Sequence, residues 1–578
     1  MKYYFKLILR QLPLLLLDIF CLIVDVILEM MQPFIMAAVL DNGVKKGDFN
    51  YCLIACSILL GMTLLAVLFS IISMSCSVKI ANRFCQDLRK DLFHKVQSLS
   101  STSLEKYGVP TLLTRITLDV NVIRKMMTLL TRAGLKVPLM LIVGSSFMFI
   151  YNVKLALIVL SVCIVLFVSI ILIIILASPR FKKSQVALDD INKILEEDIN
   201  GIRTVKSFVR EKYEITDFKN VNDEFMVLNR KAHQLASLNT PLILFGANIC
   251  TALILWIGGI DVINVESFTT GKLASFINFT TIVLMSFNMI SGIAINMAHS
   301  YACFLRINEV FNESDDESLK SFDSNNELSV DEGSIEFENV TYSYSNDKNK
   351  IALGPISFSI KSKEIIGIVG STGSGKSTLI SLLPRLYDSS SGSIKISNND
   401  IKDYDVRTLR NNIGLVTQKS VLFSKSIREN LLFGNDNVTD KEIDEALKIA
   451  SCDFVYSFKD GLDTKLSWGG LNVSGGQRQR LCIARALIKK PKILILDDSL
   501  SAVDSETEEK IKNSIYENKN DMTVIIISQK ISSVKNADRI IVLNNGLIES
   551  IDTHEELLKK SSVYKEMYES QKRLSDYE

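Results

Sequence analysis

Five uncharged stretches fill much of the first 300 residues of this 578-residue chain, and they constrain its fold more than any other feature. They are residues 51–78, 137–153, 155–179, 235–260 and 273–305. A helix needs about 20 apolar residues to cross a bilayer, a length that each stretch approaches or exceeds. A sixth candidate, residues 11–40, is interrupted by Asp18, Asp25 and Glu29. With that candidate included, the sequence predicts a membrane domain of six helices.

The three acidic residues of the first candidate are seven and four positions apart, which places them on one stripe of a helix. Acidic side chains that face lipid are costly, so we expect the stripe to face other helices or a water-filled cavity. Asp25 and Glu29 are interpreted as candidate substrate-binding residues in a cavity wall that favours cationic amphipathic compounds. The alternative is that the acids are paired or hydrogen-bonded packing residues.

Basic residues indicate the orientation in the membrane. Lys2, Lys6 and Arg10 precede the first predicted span, and more lysines and arginines follow the second. Few basic residues occur in the opposite loops, 41–50, 152–154 and 261–272. Because basic loops remain in the cytoplasm, we predict a multi-pass membrane protein with a cytoplasmic N-terminus. The net charge of +1 provides no basic stripe for nucleic acid.

The composition changes after the last predicted span. Residues 312–334 are acidic, serine-rich and weakly apolar, which is typical of a linker. After them, short β-branched runs alternate with helical patterns, as in an α/β domain. The predicted organisation is therefore a helical transmembrane domain (residues 1–311), an acidic linker (312–334) and an α/β domain (335–578).

A glycine-rich loop in the α/β domain follows a buried-strand pattern and precedes a helical pattern. Its residues are Gly370, Ser371, Thr372, Gly373, Ser374, Gly375, Lys376, Ser377 and Thr378. This G-x-x-x-x-G-K-S pattern, between a strand and a helix, predicts a P-loop whose backbone N–H groups surround a phosphate. Lys376 is expected to reach the β- and γ-phosphates, and Ser377 to bind Mg²⁺ together with Asp497, which ends a hydrophobic strand downstream. The sequence therefore predicts a domain that binds ATP and Mg²⁺.

A second candidate anion site lacks a lysine. Ser474, Gly475, Gly476 and Gln477 open a helical pattern that continues to residue 488. A helix that begins with serine and glycines offers backbone N–H groups to an anion. Since one chain does not need two such sites for one nucleotide, we infer that this loop serves an ATP held by another subunit.

These motifs, in this order, resemble those of the ATP-binding cassette family, and six spans before one cassette resemble an exporter-type half-transporter. The likeness covers essentially the whole chain. It implies that Tyr344 stacks on adenine and that Gln418 contacts Mg²⁺ and the membrane domain. It also implies that Asp504 belongs to the loop that crosses to a partner cassette. Segments near 107–115 and 201–210 resemble the two short coupling helices that dock on cassettes.

Two residues depart from the family pattern. Asp498 follows Asp497 where the family has the glutamate that polarises the attacking water, and Gln529 replaces the histidine that reaches the γ-phosphate. The family includes heterodimeric bacterial multidrug exporters in which one subunit carries this pair, and the chain is most similar to that subunit. The resemblance thus implies a slow, degenerate ATP site here. It also implies that the intact signature, Ser474–Gln477, completes the hydrolytic site of a partner that carries the Glu and His.

The expected cargo is a small amphipathic compound such as a drug or a lipid. Three alternatives remain open on the sequence: a homodimeric exporter in which Asp498 suffices, an importer of the same architecture, and an ATP-gated regulator or channel.

Overall fold

The computed structural model describes residues 2–264, 268–315, 328–344, 351–518 and 522–575, and the chain divides into two compact units. The first unit comprises Met1–Gln97 and Val109–Asn312, and the second comprises Ser98–Gly108 and Glu313–Glu578. Over half of the predicted linker, residues 316–327, lies outside the described residues.

The described part of the first unit is helical. Chain order gives α1 (Lys2–Leu9), α2 (Leu12–Ala38), α3 (Phe49–Gln97), α4 (Ser101–Tyr107), α5 (Val109–Thr114), α6 (Val120–Tyr151), α7 (Val153–Asn200), α8 (Ile202–Ser207), α9 (Glu211–Ser237), α10 (Asn239–Asn264) and α11 (Thr270–Asn312), of which α4 belongs to the second unit. Single π-helical turns, Val39–Val44 and Arg115–Asp119, follow α2 and precede α6.

One residue separates α6 from α7. Asn152 has an extended backbone, and its side-chain oxygen accepts hydrogen bonds from the N–H groups of Lys154 and Leu155, at 3.0 and 3.2 Å. Asparagine is among the best N-cap residues because it satisfies N–H groups that the first turn leaves unpaired. The sequence therefore turns sharply here, in the loop predicted at 152–154.

Four helical segments within the described residues are long and apolar enough to cross a membrane: Phe49–Gln97, Val109–Tyr151, Val153–Asn200 and Glu211–Asn264. The other two predicted spans, 11–40 and 273–305, correspond to α2 and α11, which are helices of 27 and 43 residues but lie outside that set. The count of six spans therefore stays a prediction.

Asp18 is a packing residue in the first unit. Its carboxylate is fully buried and accepts hydrogen bonds from Ser73 Oγ at 2.6 Å and Ser77 Oγ at 2.9 Å, both on α3. Buried carboxylates are tolerated only when they are paired in this way. For this acid, the structure agrees with the packing alternative.

The described part of the second unit contains ten strands in two sheets. They are β1 (Ile335–Tyr342), β2 (Leu353–Ile360), β3 (Ile365–Gly370), β4 (Ser391–Ile396), β5 (Asn399–Asp400), β6 (Ile413–Val416), β7 (Ile493–Asp497), β8 (Thr523–Ile527), β9 (Arg539–Asn544) and β10 (Leu547–Asp552). Strands in the order β2-β1-β4-β5 form an antiparallel sheet. The larger sheet has the order β10-β9-β3-β8-β7-β6 and is parallel except for β10.

The large sheet separates two hydrophobic cores. In β7, Leu494 and Leu496 belong to one core, whereas Ile493 and Ile495 belong to the other. Successive side chains of a strand point to opposite faces, so a strand covered on both faces is apolar throughout. The helices of this unit are α12 (Lys376–Leu382), α13 (Val406–Asn411), α14 (Ile427–Leu432), α15 (Asp440–Ile449), α16 (Gly475–Ile488), α17 (Ser505–Glu517), α18 (Ile531–Val534), α19 (His554–Lys560) and α20 (Ser562–Ser575).

One segment of the predicted membrane domain is grouped with the second unit. Residues 98–108 were expected in the membrane domain, with a coupling helix near 107–115, but α4 belongs to the second unit and α5 to the first. Contacts within the second unit explain the difference. Tyr107 OH donates to Glu313 Oε2 at 2.7 Å, and Tyr387 OH donates to Glu105 Oε1 at 2.5 Å. The segment grouped with the second unit therefore overlaps the predicted coupling segment, 107–115, only at residues 107 and 108, and the coupling role stays a prediction.

Candidate nucleotide-binding site

Three neighbouring strands bring the predicted phosphate-binding residues together. β8 lies between β3 and β7, and all three are parallel. The glycine-rich loop follows β3, Asp497 ends β7, and Gln529 lies two residues beyond β8. Because the carboxyl ends of parallel strands lie at the same edge of a sheet, these residues meet at one site.

A cavity of about 620 Å³ occupies this edge. It is lined by most of the residues predicted for this chain's own ATP site: Tyr344, Thr372, Gly373, Ser374, Gly375, Lys376, Ser377, Thr378, Gln418, Asp497, Asp498 and Gln529. Gly370 ends β3 beneath the loop, and Ser371 begins the loop; neither lines the cavity.

The sequence reasoning missed Asn545 and Gly546, which also line the cavity. They form the turn between β9 and β10, where both residues have positive φ, and Gly546 N donates to Ser374 O at 3.1 Å. Any Cβ on Gly546 would lie 2.9 Å from the carbonyl oxygen of Ala352. An Asn-Gly pair between strands is a strong hairpin signal, but it does not show that the hairpin packs against the P-loop.

The P-loop folds around the ammonium group of Lys376. Gly373 and Gly375 have φ of +81° and +96°, which are favourable only for glycine. Lys376 Nζ donates to the carbonyl oxygens of Gly370 and Ser371, at 2.8 Å each. Burial lowers the pKa of Lys376, against the opposing effect of Asp497 and Asp498. An anion that accepts hydrogen bonds from this ammonium would relieve the cost of burying its charge.

Ser377 and Asp497 form a pair of oxygen ligands that suits Mg²⁺. Ser377 Oγ donates to Asp497 Oδ2 at 3.4 Å at the mouth of the P-loop. Asp497 is nearly buried, and burial raises its pKa. Mg²⁺ prefers oxygen ligands and takes few from the protein when phosphate is present. These residues fit such an ion, which would supply positive charge at the phosphates.

Asp498 lies beside Gln418. Gln418 Nε2 donates to Asp498 Oδ2 at 3.4 Å. Gln418, which is predicted to contact Mg²⁺, therefore also contacts the residue that stands in place of the family's glutamate. Asp498 has a left-handed backbone with φ of +46°, and its N–H donates to Ile527 O at 2.9 Å. Aspartate tolerates this conformation better than most residues. Burial raises the pKa of Asp498, which makes its carboxylate harder to ionise.

The backbone at Gln529 is held by a residue that sequence reasoning missed. Gln571, on α20, donates from Nε2 to the carbonyl oxygen of Gln529 at 2.8 Å, and its Oε1 accepts from Ile531 N at 2.8 Å. The side-chain amide of Gln571 thus bridges both sides of the loop after β8. Its sequence position, 42 residues beyond Gln529, gave no signal of this contact.

Tyr344 lines the cavity beside the P-loop. Its ring is half exposed, and its hydroxyl pairs with Thr378 Oγ1 at 2.9 Å. Tyr387, whose hydroxyl bonds Glu105 on α4, packs edge-on against Tyr344 with 5.6 Å between ring centroids. An exposed ring beside the P-loop is suited to stacking on a nucleobase.

The signature residues do not line this cavity. Ser474 caps α16: its Oγ accepts from Gln477 N at 3.1 Å, and Gln477 Oε1 accepts from Ser474 N at 2.9 Å. Ser474 and Gly475 are exposed. A Cβ on Gly476 would lie 2.8 Å from Ala502 O, which explains a glycine there. The start of α16 therefore lies outside the lining of the chain's own nucleotide cavity.

Asp504 also lies outside the cavity and has a structural role within the chain. It caps α17 by accepting from Thr507 N at 2.9 Å, and this hydrogen bond lowers the pKa of Asp504. The loop before it is joined to α16, since Gln479 Oε1 accepts from Ala502 N at 3.0 Å. The signature and the Asp504 loop therefore form one surface.

Comparisons with known proteins identify the class. Residues 15–287 match the model of the ABC transporter transmembrane region, and residues 353–501 match the model described as ABC transporter. The chain therefore belongs to the ABC transporter family, and its second unit is an ATP-binding domain of an ATPase coupled to transport.

Relatives match along nearly the full length. The ABC transporter ATP-binding protein YfiB of Bacillus subtilis is 35% identical over 551 residues, which is 95% of each chain. A candidate multidrug export ATP-binding/permease protein of Staphylococcus aureus is 33% identical over 508 residues, or 85% of this chain and 84% of the other. The fold is similar to that of a bacterial Atm1-family ABC exporter with ATP bound, with a TM-score of 0.82 and 22% identity, over 97% of this chain and 98% of that one.

Proposed function

We propose that this chain is one subunit of a heterodimeric ABC exporter in a bacterial plasma membrane, with its N-terminus and ATP-binding domain in the cytoplasm. It binds ATP in a slow site of its own and supplies its signature to the hydrolytic site of a partner, and the assembly exports amphipathic compounds. One observation carries the proposal: both altered residues, Asp498 and Gln529, line this chain's own cavity, whereas the intact signature lies outside it.

We attribute slow hydrolysis to the short reach of the Asp498 carboxylate. Asp498 is one methylene shorter than glutamate, and its carboxylate is held by Gln418. A general base contributes about 10²–10⁴-fold to a rate, and its contribution depends on its reach to the reacting water. Gln529 can donate a hydrogen bond but cannot become a cation. The site is therefore expected to retain ATP and hydrolyse it slowly.

The residues that bind the nucleotide keep their roles in this proposal. The P-loop N–H groups and Lys376 hold the phosphates, Ser377, Asp497 and Gln418 hold Mg²⁺, and the ring of Tyr344 stacks on adenine. Mg²⁺ supplies charge neutralisation when it is bound. Ser474–Gln477 and Asp504 of this chain instead contact the nucleotide that the partner holds.

An exposed apolar surface around α8 supports the presence of a partner. Phe208 and Val209, just after α8, are 72% and 79% exposed, and Tyr213 is 64% exposed. Clustered exposed apolar residues mark interaction sites. This surface overlaps the predicted second coupling segment, 201–210, at Phe208 and Val209, and we assign it to the partner's cassette. Export is supported by the name of the Staphylococcus aureus relative.

The composition of the native assembly tests the proposal. The tagged chain, purified gently from its native membrane, is expected to carry an equal amount of a different half-transporter with the Glu and His, measured by intact mass. A complex with two copies of this chain, active in ATP hydrolysis, would overturn the heterodimer, because Asp498 and Gln529 would then support the whole cycle.

Removing the Gln571 amide should weaken ATP binding at this chain's own site. Gln571→Ala deletes two hydrogen bonds to the loop of Gln529, each worth about 1 kcal/mol. We expect up to about 30-fold weaker binding of a photoreactive ATP analogue to this chain, because each 1.4 kcal/mol is a factor of ten and the two bonds together are worth about 2 kcal/mol. Glu566→Ala, an exposed change on the same helix, is the matched control. Equal labelling of both variants would show that the bridge does not position the loop.

A further inference from the structure

A cavity of about 850 Å³ in the first unit has walls of both charges. It lies among α2, α3, α6 and α11. The acidic lining residues are Asp25 and Glu29 on α2, as predicted, and the basic ones are Lys125, Arg132 and Lys136 on α6. The basic residues are missing from the sequence-based interpretation, which considered the acids alone.

The basic residues form a stripe that matches the acidic one. Lys125, Arg132 and Lys136 are seven and four positions apart, the same spacing as Asp18, Asp25 and Glu29. Residues at this spacing share one face of a helix. The two stripes meet at Lys136, whose Nζ donates to Asp25 Oδ2 and to Glu29 Oε1, at 2.8 Å each.

This contact changes the charge that the cavity offers to a ligand. Lys136 is bound to both acids and brings their combined charge to a single negative unit. Lys125 and Arg132 line the same cavity and are exposed, so its described lining has one positive charge in excess. The carboxylate of Asp18 is fully buried and hydrogen-bonded to two serines, and it contributes nothing to the lining.

Arg132 is the best placed of the two cations. It interacts electrostatically with Asp18, but among the described residues its direct polar contact is with Met74 Sδ, at 3.7 Å. Its guanidinium group therefore retains donors for a ligand, and the planar fork suits carboxylate, phosphate or sulfonate groups. Lys125 is about 10 Å farther along the helix axis, at the rise of 1.5 Å per residue.

The rest of the wall is apolar and adaptable. Met140, Met285 and Met289 line the cavity beyond Lys136. Methionine side chains are flexible and polarizable, and they adapt to apolar bodies of varied shape. The cavity therefore combines a cationic part with an apolar part.

From this arrangement we propose that the cavity binds amphipathic organic anions, with the acidic head at Arg132 and Lys125 and the apolar body against the three methionines. The proposal rests on the proposed transport function and names the chemical class of its cargo. It replaces the cationic preference expected from Asp25 and Glu29, because Lys136 already satisfies those carboxylates.

A matched pair of probes tests the charge preference. Dansyl-labelled undecanoate and dansyl-labelled undecylamine share one body and differ in the charge of the head. Binding is measured by fluorescence on the intact complex, without ATP, in nanodiscs of phosphatidylcholine alone. We expect the carboxylate to bind at least about tenfold more tightly than the amine, and Arg132→Gln to weaken it about tenfold. Equal or tighter binding of the amine would overturn the proposal.

The matched control is Arg124→Gln, which removes the neighbouring charge on α6 outside the cavity lining. Equal carboxylate affinity in the Arg124→Gln and Arg132→Gln complexes would also overturn the proposal. The double variant Arg132→Gln, Lys136→Gln leaves the acids in excess and is expected to prefer the amine. Arg132 is exposed, so the single variant gives a result even if loss of the partly buried Lys136 contact impairs folding.

Two further measurements are made. The first distinguishes the possible sources of the anion, and the second distinguishes failure of the cargo proposal from failure of the proposed function. Addition of phosphatidylglycerol to the nanodiscs should abolish probe binding if the natural ligand is a lipid headgroup, and should leave it unchanged if the ligand is a free organic anion; both results support the proposal. ATP hydrolysis is measured on the same preparation. Normal hydrolysis without carboxylate binding would overturn the cargo proposal alone, whereas binding without hydrolysis would overturn the proposed function alone.

Discussion

Ser474→Ala is expected to lower the ATP turnover of the assembled complex about 10²-fold while this chain still binds ATP. In the proposed dimer the Ser474 hydroxyl faces the phosphates of the partner's nucleotide, since it is exposed and lies outside the chain's own cavity. Loss of one positioned donor to developing charge costs about 10²–10³-fold in rate. Turnover of the purified complex and photolabelling of this chain by an ATP analogue measure the two parts of the prediction.

The chain offers a matched control for the structural part of this effect. Ser426 caps α14 with the same reciprocal hydrogen bonds, in which its Oγ accepts from Glu429 N and its own N–H donates to the Glu429 side chain. Replacement of either cap by alanine costs about 1 kcal/mol. Ser426→Ala should therefore lose similar thermal stability and keep its turnover. If both variants lost turnover equally, Ser474 would be only a helix cap.

The phosphate site was the part of the molecule most accessible from sequence. The P-loop and Asp497 are local features, because strand, loop and helix are contiguous and each residue type has one dominant use. The parallel order β3-β8-β7 then brings them to one edge without further information. Gln571 was not accessible, because its contact with Gln529 depends on how α20 packs and a lone glutamine has no motif.

The charged cavity illustrates a different limit. The acidic stripe of α2 was visible because acids in an apolar stretch are rare. Lys125, Arg132 and Lys136 precede the predicted span 137–153 and read as ordinary cytoplasmic residues. Only the observed extent of α6, Val120–Tyr151, and its contacts with α2 place them opposite the acids. These contacts join residues 107 or more positions apart, so they depend on how the helices pack. The sign of the net charge of the cavity lining could not be predicted without them.

The double change Asp498→Glu, Gln529→His should restore hydrolysis to this chain's own site. The test uses a complex whose partner has lost its catalytic glutamate by substitution with glutamine, so that the partner's site is inactive. A restored general base is worth about 10²–10⁴-fold, and turnover should rise by at least about 10²-fold. Glutamate in the left-handed conformation of residue 498 costs about 1–2 kcal/mol, which is smaller than the gain of about 2.7–5.5 kcal/mol to which that range corresponds. Turnover by the purified complex is the measurement.

A control variant has asparagine instead of glutamate at position 498. It separates the loss of the general base from a change in the conformation of this residue. Asparagine tolerates the same backbone conformation, so the fold at Gln418 is preserved while the base is removed, and turnover should fall below that of the starting complex. A rise with Glu and His but not with Asn would show that the two replacements keep this site slow. Unchanged turnover in the Glu and His complex, with ATP still bound to this chain, would show that other residues, such as the partner's signature, set the rate. In that case Asp498 and Gln529 would not explain a slow site, and the division of labour between the two subunits would have to rest on the signature surfaces instead.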